Sequence, residues 1–403
     1  MTRVAFPFAG GNAWLGGVSY FANLLTALTE TPSCGIEPVI VTGSRMAAKL
    51  PPTWPTVEIL QTRTFDARTP YWAARGTLKR LVGTDVLLQM LLLRARIEVV
   101  SHSAPLGRLS VIPGLSWIPD LQHRRLPHFF AASDRERLDR SFAEACRLAS
   151  LVIASSENAR EDIEKFFPDA RGKVRVLRFV ACASNTAEGA DQEIILSRLG
   201  LKAPYVLLPN QFWAHKNHGL VVDALRILKA SGRQVHVVCT GNTHDDRQPG
   251  YFDEIMRRVV DAGVMPAFTV LGMVSYADLA SMMRLATAVL NPSLFEGWST
   301  SVEEAKSLGK SILLSDIPVH REQAPARGVY FDPHDAEALA NALWATVTSF
   351  DPAKERAWNE RASAELLSRR QTFALEYSKI VHEALRTNTS NRRVQLAQRV
   401  LFH

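Results

Sequence analysis

Two glutamates separated by seven residues, Glu296 and Glu304, bracket Gly297-Trp298-Ser299-Thr300 within NPSLFEGWSTSVEEAKSLGKSILLSDIPVHRE, residues 291–322. Gly297 permits a tight turn, and Thr300 with Glu303 matches a capping box that sets a helix N-terminus at about Thr300. Amides at a helix start carry partial positive charge and bind phosphate. Glu296, before the turn, and Glu304, about one turn inside the helix, would then flank one ligand from two sides. A phosphate with a hydroxyl-rich group at either end would use all three features. On its own, the pattern fits a surface helix with an acidic first turn as well.

A second segment, LLPNQFWAHKNHGLVVDAL at 207–225, reads as strand, polar loop and helix, with Lys216 just ahead of the helix. A lysine there could neutralise a leaving diphosphate, stabilising charge that develops only in the transition state. It could equally be a solvated loop residue. A third, GGNAWLGGVSYFANLL at 10–25, is not the dinucleotide fingerprint, because G-x-G-x-x-G cannot be laid over it. Its glycine pair Gly16-Gly17 would still let backbone approach a ligand closely.

The 403 residues exceed what one core organises, so two domains are expected. Apolar content of 47% with 22% charged residues is that of a globular chain. The longest apolar run, VLLQMLLL at 86–93, is less than half the roughly 20 residues that span a bilayer. The N-terminus shows no cleavage pattern, and Cys34, Cys146, Cys182 and Cys239 have neither zinc spacing nor disulfide density. A cytoplasmic protein with reduced thiols is the expectation. Residues 1–185 hold 23 Lys+Arg and 16 Asp+Glu, hence all of the +7 net charge, while 186–403 hold 24 of each. Clusters at Arg75, Lys79, Arg80, Arg94 and Arg96, and at Arg124, Arg125, Arg135, Arg137 and Arg140, could attract a phosphorylated substrate or an anionic membrane at the inner face, or simply be solvated. Nucleic acid is disfavoured, since no reader motif accompanies the charge.

These candidate residues need a scaffold, and two strand-helix series supply one. The first runs through strands at 3–8, 36–43, 96–102, 114–120 and 149–156. The second runs through strands at 204–210, 234–241, 267–272, 287–293 and 311–316, with helices at 217–231, 252–262, 276–285, 301–308 and 335–348. A polar, aperiodic break lies near 180–193, and 369–385 reads as an amphipathic helix. Alternation of this kind predicts an α/β protein of two doubly wound parallel sheets, with ligands at the carboxyl ends of the strands. The tail at 391–403 fits either a membrane-touching amphipath or a frayed end.

The second half, from YVLLPNQFWAHKNH through LGMVSYADL and NPSLFEGWSTSVEEAKSLGKSILLSDIPVHRE to VYFDPHDAEALANAL, resembles the glycosyltransferases of family four, of GT-B fold. WIPDLQHRRLPHFF and ASSENAREDI in the first half match more loosely. The resemblance implies two Rossmann-like domains facing an interdomain cleft: an acceptor-side domain over 1–185, a nucleotide-sugar domain over 186–368, and a helix and tail over 369–403 that return to brace the first. It implies a nucleotide diphosphate sugar as donor, mannose or rhamnose favoured, and a saccharide or lipid-linked acceptor in surface polysaccharide synthesis. Glu304 matches the glutamate that holds the ribose, Glu296 the one at the transferred sugar, and Lys216 the diphosphate lysine. Gly297, Trp298, Ser299 and Thr300 lie where amides meet the distal phosphate and sugar, and Val274 in the loop framing the base. Asn210, Gln211 and Gly241 join the donor site, with Gln211 standing where many members carry an arginine. Gly16 and Gly17 would approach the diphosphate. Asp120 and His123 fall near the acceptor-side catalytic position, although the usual His-Asp pair reads Pro119-Asp120 here and His123 could merely satisfy a backbone carbonyl. The family retains anomeric configuration and needs no metal or cofactor, so His244-Asp245-Asp246 is not read as a metal site. A nucleotide-sugar epimerase of the same fold and a non-catalytic nucleotide-sugar-binding partner are the rival expectations.

Overall fold

The structure, a computed structural model, describes residues 1–8, 15–51, 54–183 and 192–401. The glycine-rich start at 9–14 and the polar break over 184–191 lie outside the described residues.

Seven parallel strands form the first sheet: β1 (Thr2–Pro7), β2 (Ile36–Thr42), β3 (Glu58–Gln61), β4 (Val99–Ser101), β5 (Gly114–Ile118), β6 (Leu151–Ala154) and β7 (Val174–Val176), in the order β3-β2-β1-β4-β5-β6-β7. Six parallel strands form the second: β8 (Val206–Leu208), β9 (Val237–Cys239), β10 (Phe268–Val270), β11 (Ala288–Asn291), β12 (Ile312–Ser315) and β13 (Gly328–Phe331), in the order β10-β9-β8-β11-β12-β13. Both sheets are doubly wound.

The second sheet shows why its strands read as unbroken apolar runs. Val206, Leu208, Val237, Cys239, Leu290 and Leu313 enter one buried cluster. Their neighbours Leu207, Val238, Val289, Ile312 and Leu314 enter another. Successive strand residues point to opposite faces, and helices cover both, so every position is apolar. The expected helices at 217–231, 252–262, 276–285, 301–308 and 335–348 are observed as His218–Ala230, Tyr251–Asp261, Tyr276–Leu285, Thr300–Ser307 and Ala336–Thr348. Strands β3, β7 and β13 were not expected. All three are short and carry charged or partly exposed side chains, so they lack the apolar run that marks the others.

The chain divides into two compact units. The first comprises Met1–Leu121, Glu136–Val180 and Ser368–His403, the second Gln122–Arg135 and Ala181–Leu367. Thus a segment between β5 and β6 clusters with the second unit. The expected helix at 369–385 is part of a longer one, Pro352–Leu401, and from Ser368 it packs within the first unit. There the Ser378 hydroxyl donates to the Cys34 carbonyl at 2.6 Å, and Arg370 pairs with Glu30 at 2.9 Å.

Candidate functional site

In the second sheet the strand order reverses between β8 and β11, and the crevice beyond their carboxyl ends is where such sheets bind ligands. Asn291, the last residue of β11, organises that crevice. Its Oδ1 accepts from Asn210 Nδ2 at 3.2 Å, from the Ser293 hydroxyl at 2.6 Å and from the Ser293 amide at 3.2 Å. Its Nδ2 donates to Ser299 Oγ at 2.8 Å and to Glu296 Oε1 at 3.4 Å. One fully buried amide side chain therefore ties the loop after β8 to the loop after β11.

Lys216 Nζ donates to Glu296 Oε1 at 2.6 Å, and both side chains are largely buried. The lysine is fixed from two sides. The Leu294 amide donates to the His215 carbonyl at 2.8 Å. Asn217, in the left-handed region at φ 60°, donates from Nδ2 to the Pro292 and Pro333 carbonyls at 3.2 and 2.9 Å. Burial pushes the Glu296 carboxyl up, but the Lys216 ammonium, the nearby His320, and hydrogen bonds from Lys216 and Ser293 outweigh it and hold the group below its ordinary value. His320, wholly buried, is held low by burial against the pull of Glu296. Its Nδ1 lies 2.9 Å from the Ser315 carbonyl, and Nε2 meets no hydrogen-bond partner among the described residues. The site thus pairs a carboxylate with an ammonium beside a neutral imidazole.

Glu304 stands apart in charge state. Burial pushes its carboxyl up to about 7, against the opposing Tyr276 hydrogen bond. Tyr276 Oη lies 2.8 Å from both Glu304 Oε1 and the Cys182 carbonyl. A single phenolic proton serves one acceptor well. A protonated Glu304 donating to Tyr276 Oη, while that hydroxyl donates to Cys182, satisfies both contacts.

The helix Thr300–Ser307 begins where expected, but by a different device. Ser299 is the N-cap and makes no side-chain cap bond, so the Thr300–Glu303 capping box does not form. Glu303 is drawn inward instead, taking Lys306 Nζ at 2.8 Å and Gln323 Nε2 at 3.1 Å. Gln323 also clamps the cap backbone: its Oε1 accepts from the Ser299 amide at 3.2 Å and its Nε2 donates to the Ser299 carbonyl at 3.0 Å. The Ser299 amide, expected to meet a phosphate, is therefore engaged within the protein. The helix amides without an intrahelical acceptor are those of Thr300, Ser301 and Val302.

The remaining expected residues fall into two groups. Gln211 accepts the Asn242 amide on its Oε1, so its side chain braces the adjoining loop. Gly241, at φ 130°, lies so close to Asn210 that a Cβ would stand 2.6 Å from the Asn210 carbonyl oxygen. Val274 packs at the edge of the second apolar cluster, two residues before Tyr276. His123 is buried in the second unit, its ring 6.2 Å from Phe130. Gly16, Gly17 and Asp120 belong to the first unit. Among the described residues no three His, Cys, Asp or Glu side chains converge as a metal site, and His244 pairs only with Asp246 in an exposed contact of 2.9 Å. Asn291, Ser293, Tyr276, His320 and Gln323 were missed. An asparagine closing an apolar strand was the only local signal.

Residues 191–364, the part that carries this network, match the family model described as glycosyl transferases group 1. The second unit is thus similar to the group 1 glycosyl transferases over most of its length. The O-antigen chain mannosyltransferase B of Escherichia coli is 23% identical over 248 residues, 60% of this chain and 62% of that protein. The chain thus spans less than two thirds of that relative. A glycosyltransferase from Rickettsia africae superposes with a TM-score of 0.68 at 14% identity, over 95% of this chain and 98% of that one. Anabaena HepE, in complex with UDP and glucose, superposes with a TM-score of 0.61 at 15% identity, over 98% and 100%. Each unit has the doubly wound parallel sheet of the GT-B fold.

Proposed function

We propose that this chain is a retaining, metal-independent glycosyltransferase that moves mannose from a nucleoside diphosphate donor to a saccharide or lipid-linked acceptor of a surface polysaccharide. The observation that carries the reading is the Lys216–Glu296 pair at the switch point of the second sheet. It is backed by the helix amides of Thr300 to Val302 and by Glu304 one turn farther on. Mannose is favoured because the Escherichia coli relative is a mannosyltransferase.

In this reading Lys216 and the helix amides take the diphosphate, Glu304 the ribose hydroxyls and Glu296 the sugar. The bond from the sugar's anomeric carbon to the β-phosphate oxygen breaks as that carbon bonds the acceptor oxygen on the same face. The acceptor proton passes to the departing phosphate oxygen, and nucleoside diphosphate leaves. Lys216 balances the charge gained by the leaving group, and no metal ion is required for that. Purified protein given GDP-, UDP-, dTDP- and ADP-sugars with acceptor should release nucleoside diphosphate, most from GDP-mannose. Conversion of donor without acceptor would mean an epimerase, and donor-dependent stabilisation without turnover a binding partner.

A lipid-linked acceptor fits the surface of the first unit. Helices Pro70–Val82 and Val86–Arg94 expose Trp72, Leu81, Met90 and Leu93 beside Lys79, Arg80 and Arg94. Arg75, by contrast, is spent on Asp85 at 2.7 Å. Among the described residues no helix is long and apolar enough to cross a membrane. Peripheral contact with anionic lipid is the reading these helices support. Vesicles containing phosphatidylglycerol should retain the protein in flotation, and Leu81→Asp with Arg80→Glu should release it.

A further inference from the structure

The sequence leaves one vacancy: the position of the family's second phosphate cation is Gln211, and Gln211 is turned to the Asn242 amide. Arg247, in the same unit, is engaged elsewhere. Its Cζ lies 5.0 Å from the Trp213 ring centroid and 5.1 Å from that of Phe130, so the guanidinium touches both rings. Nη1 donates to Gln122 Oε1 at 2.8 Å, and Nε donates to Asp245 Oδ1 at 3.3 Å. Asp245 is buried and also accepts the Arg247 amide at 3.0 Å, which fixes the arginine's own backbone. A planar cation with a rigid fork of donors suits such a bridge, and a lysine does not.

The two ends of this bridge matter. Gln122 and Phe130 lie on Gln122–Arg135, which intervenes between β5 and β6 yet belongs to the second unit and carries His123. Trp213 lies on the loop of Lys216, whose amide donates to the Trp213 carbonyl at 2.8 Å. We infer that Arg247 is a positioning residue: it seats the His123 segment against the diphosphate-binding loop and thereby sets the acceptor side of the reaction. Its consequence for turnover rests on the function proposed above; the seating itself does not.

The segment contains Arg124, Arg125 and Arg135, so trypsin reports whether it is seated. Limited tryptic digestion of the full chain should cleave Arg247→Ala within this segment about tenfold faster than the wild type, with Arg247→Lys close to Ala. Gln122→Ala combined with Phe130→Ala, which leaves Arg247 and Asp245 intact, should reproduce the effect. In turnover assays both variants should lose about tenfold or more in kcat/KM for the acceptor, while GDP affinity by titration stays within about threefold. If Arg247→Ala instead weakens GDP about tenfold or more with unchanged digestion, the arginine is a phosphate ligand and the inference falls. Unchanged digestion and kinetics overturn it equally. Should the wild type turn over no donor, the digestion result alone still decides the seating.

Discussion

Glu296 and Lys216 neutralise each other inside the protein, so replacing either one is a stability experiment as well as a catalytic one. Lys216→Ala leaves a buried carboxylate without its partner, a loss of about 3–5 kcal/mol. Lys216→Met with Glu296→Gln removes both charges and should recover most of that in urea denaturation, yet remain inactive. Glu296→Gln alone should keep the fold while lowering kcat about a hundredfold or more. Full turnover in both single variants would remove the pair from the chemistry.

Glu304 gives a pH test of opposite sign to an ordinary ion-paired acid. Its carboxyl is raised from 4.5 to about 7 in the folded chain, so between those values the folded state holds the extra proton. Stability from this group is complete below about pH 4.5 and is lost as pH rises through 7, amounting to roughly 3 kcal/mol. Glu304→Gln cannot ionise. It should match the wild type at pH 4.5 and exceed it at pH 8.5, read as urea midpoints. Nucleotide affinity should run the other way, since ribose hydroxyls donate best to a carboxylate: GDP should bind the wild type more tightly above pH 7, while the variant shows weak, flat binding. A wild-type affinity independent of pH would place the ribose elsewhere.

Among elements, the turn from β11 into the helix Thr300–Ser307 shows what sequence could and could not disclose. The strand was legible because every residue of β11 is buried and apolar until Asn291. The helix start was placed correctly at about Thr300, from a Thr300–Glu303 capping box. The device that holds it was not legible, because Gln323 reaches back 24 residues to clamp Ser299. Local patterning offers Thr300 and Glu303 as a capping box; Lys306 one turn on and the distant Gln323 engage Glu303 instead. Lys216 and Glu296 were singled out separately, because their contact spans 80 residues and needed coordinates. Gln323→Leu strands the Ser299 backbone and should destabilise the domain by about 1–3 kcal/mol. Gln323→Glu still accepts from the Ser299 amide but cannot donate to its carbonyl and faces Glu303. If the clamp positions the phosphate-binding amides, Gln323→Leu raises donor KM more than it lowers kcat; equal changes in both would reduce Gln323 to a structural role.

At the scale of the whole molecule, the chain's last helix is part of the first unit's core. Tyr377 is fully buried, its ring 6.0 Å from Phe6 on β1 and 5.9 Å from His102. His102 Nε2 in turn lies 2.7 Å from Tyr20 Oη, and Tyr20 stacks on Trp117 at 4.1 Å. A segment some 370 residues along therefore completes an aromatic cluster begun by the first strand, and burial holds His102 down to about 3, so the cluster stays uncharged. Truncating Tyr377 to Ala opens a cavity there, a loss of roughly 3–5 kcal/mol. Tyr377→Phe keeps the ring and should lose less than about 1.5 kcal/mol. Because the second unit has its own two apolar clusters, the Tyr377→Ala loss should fall on the first unit alone. Urea denaturation followed by hydrogen exchange should show amides of β1 and β4 opening early while those of β8 and β11 keep their protection, and GDP should still bind. If β8 and β11 lose protection in step with β1, the two units fold as one cooperative body and the division of labour between them is wrong.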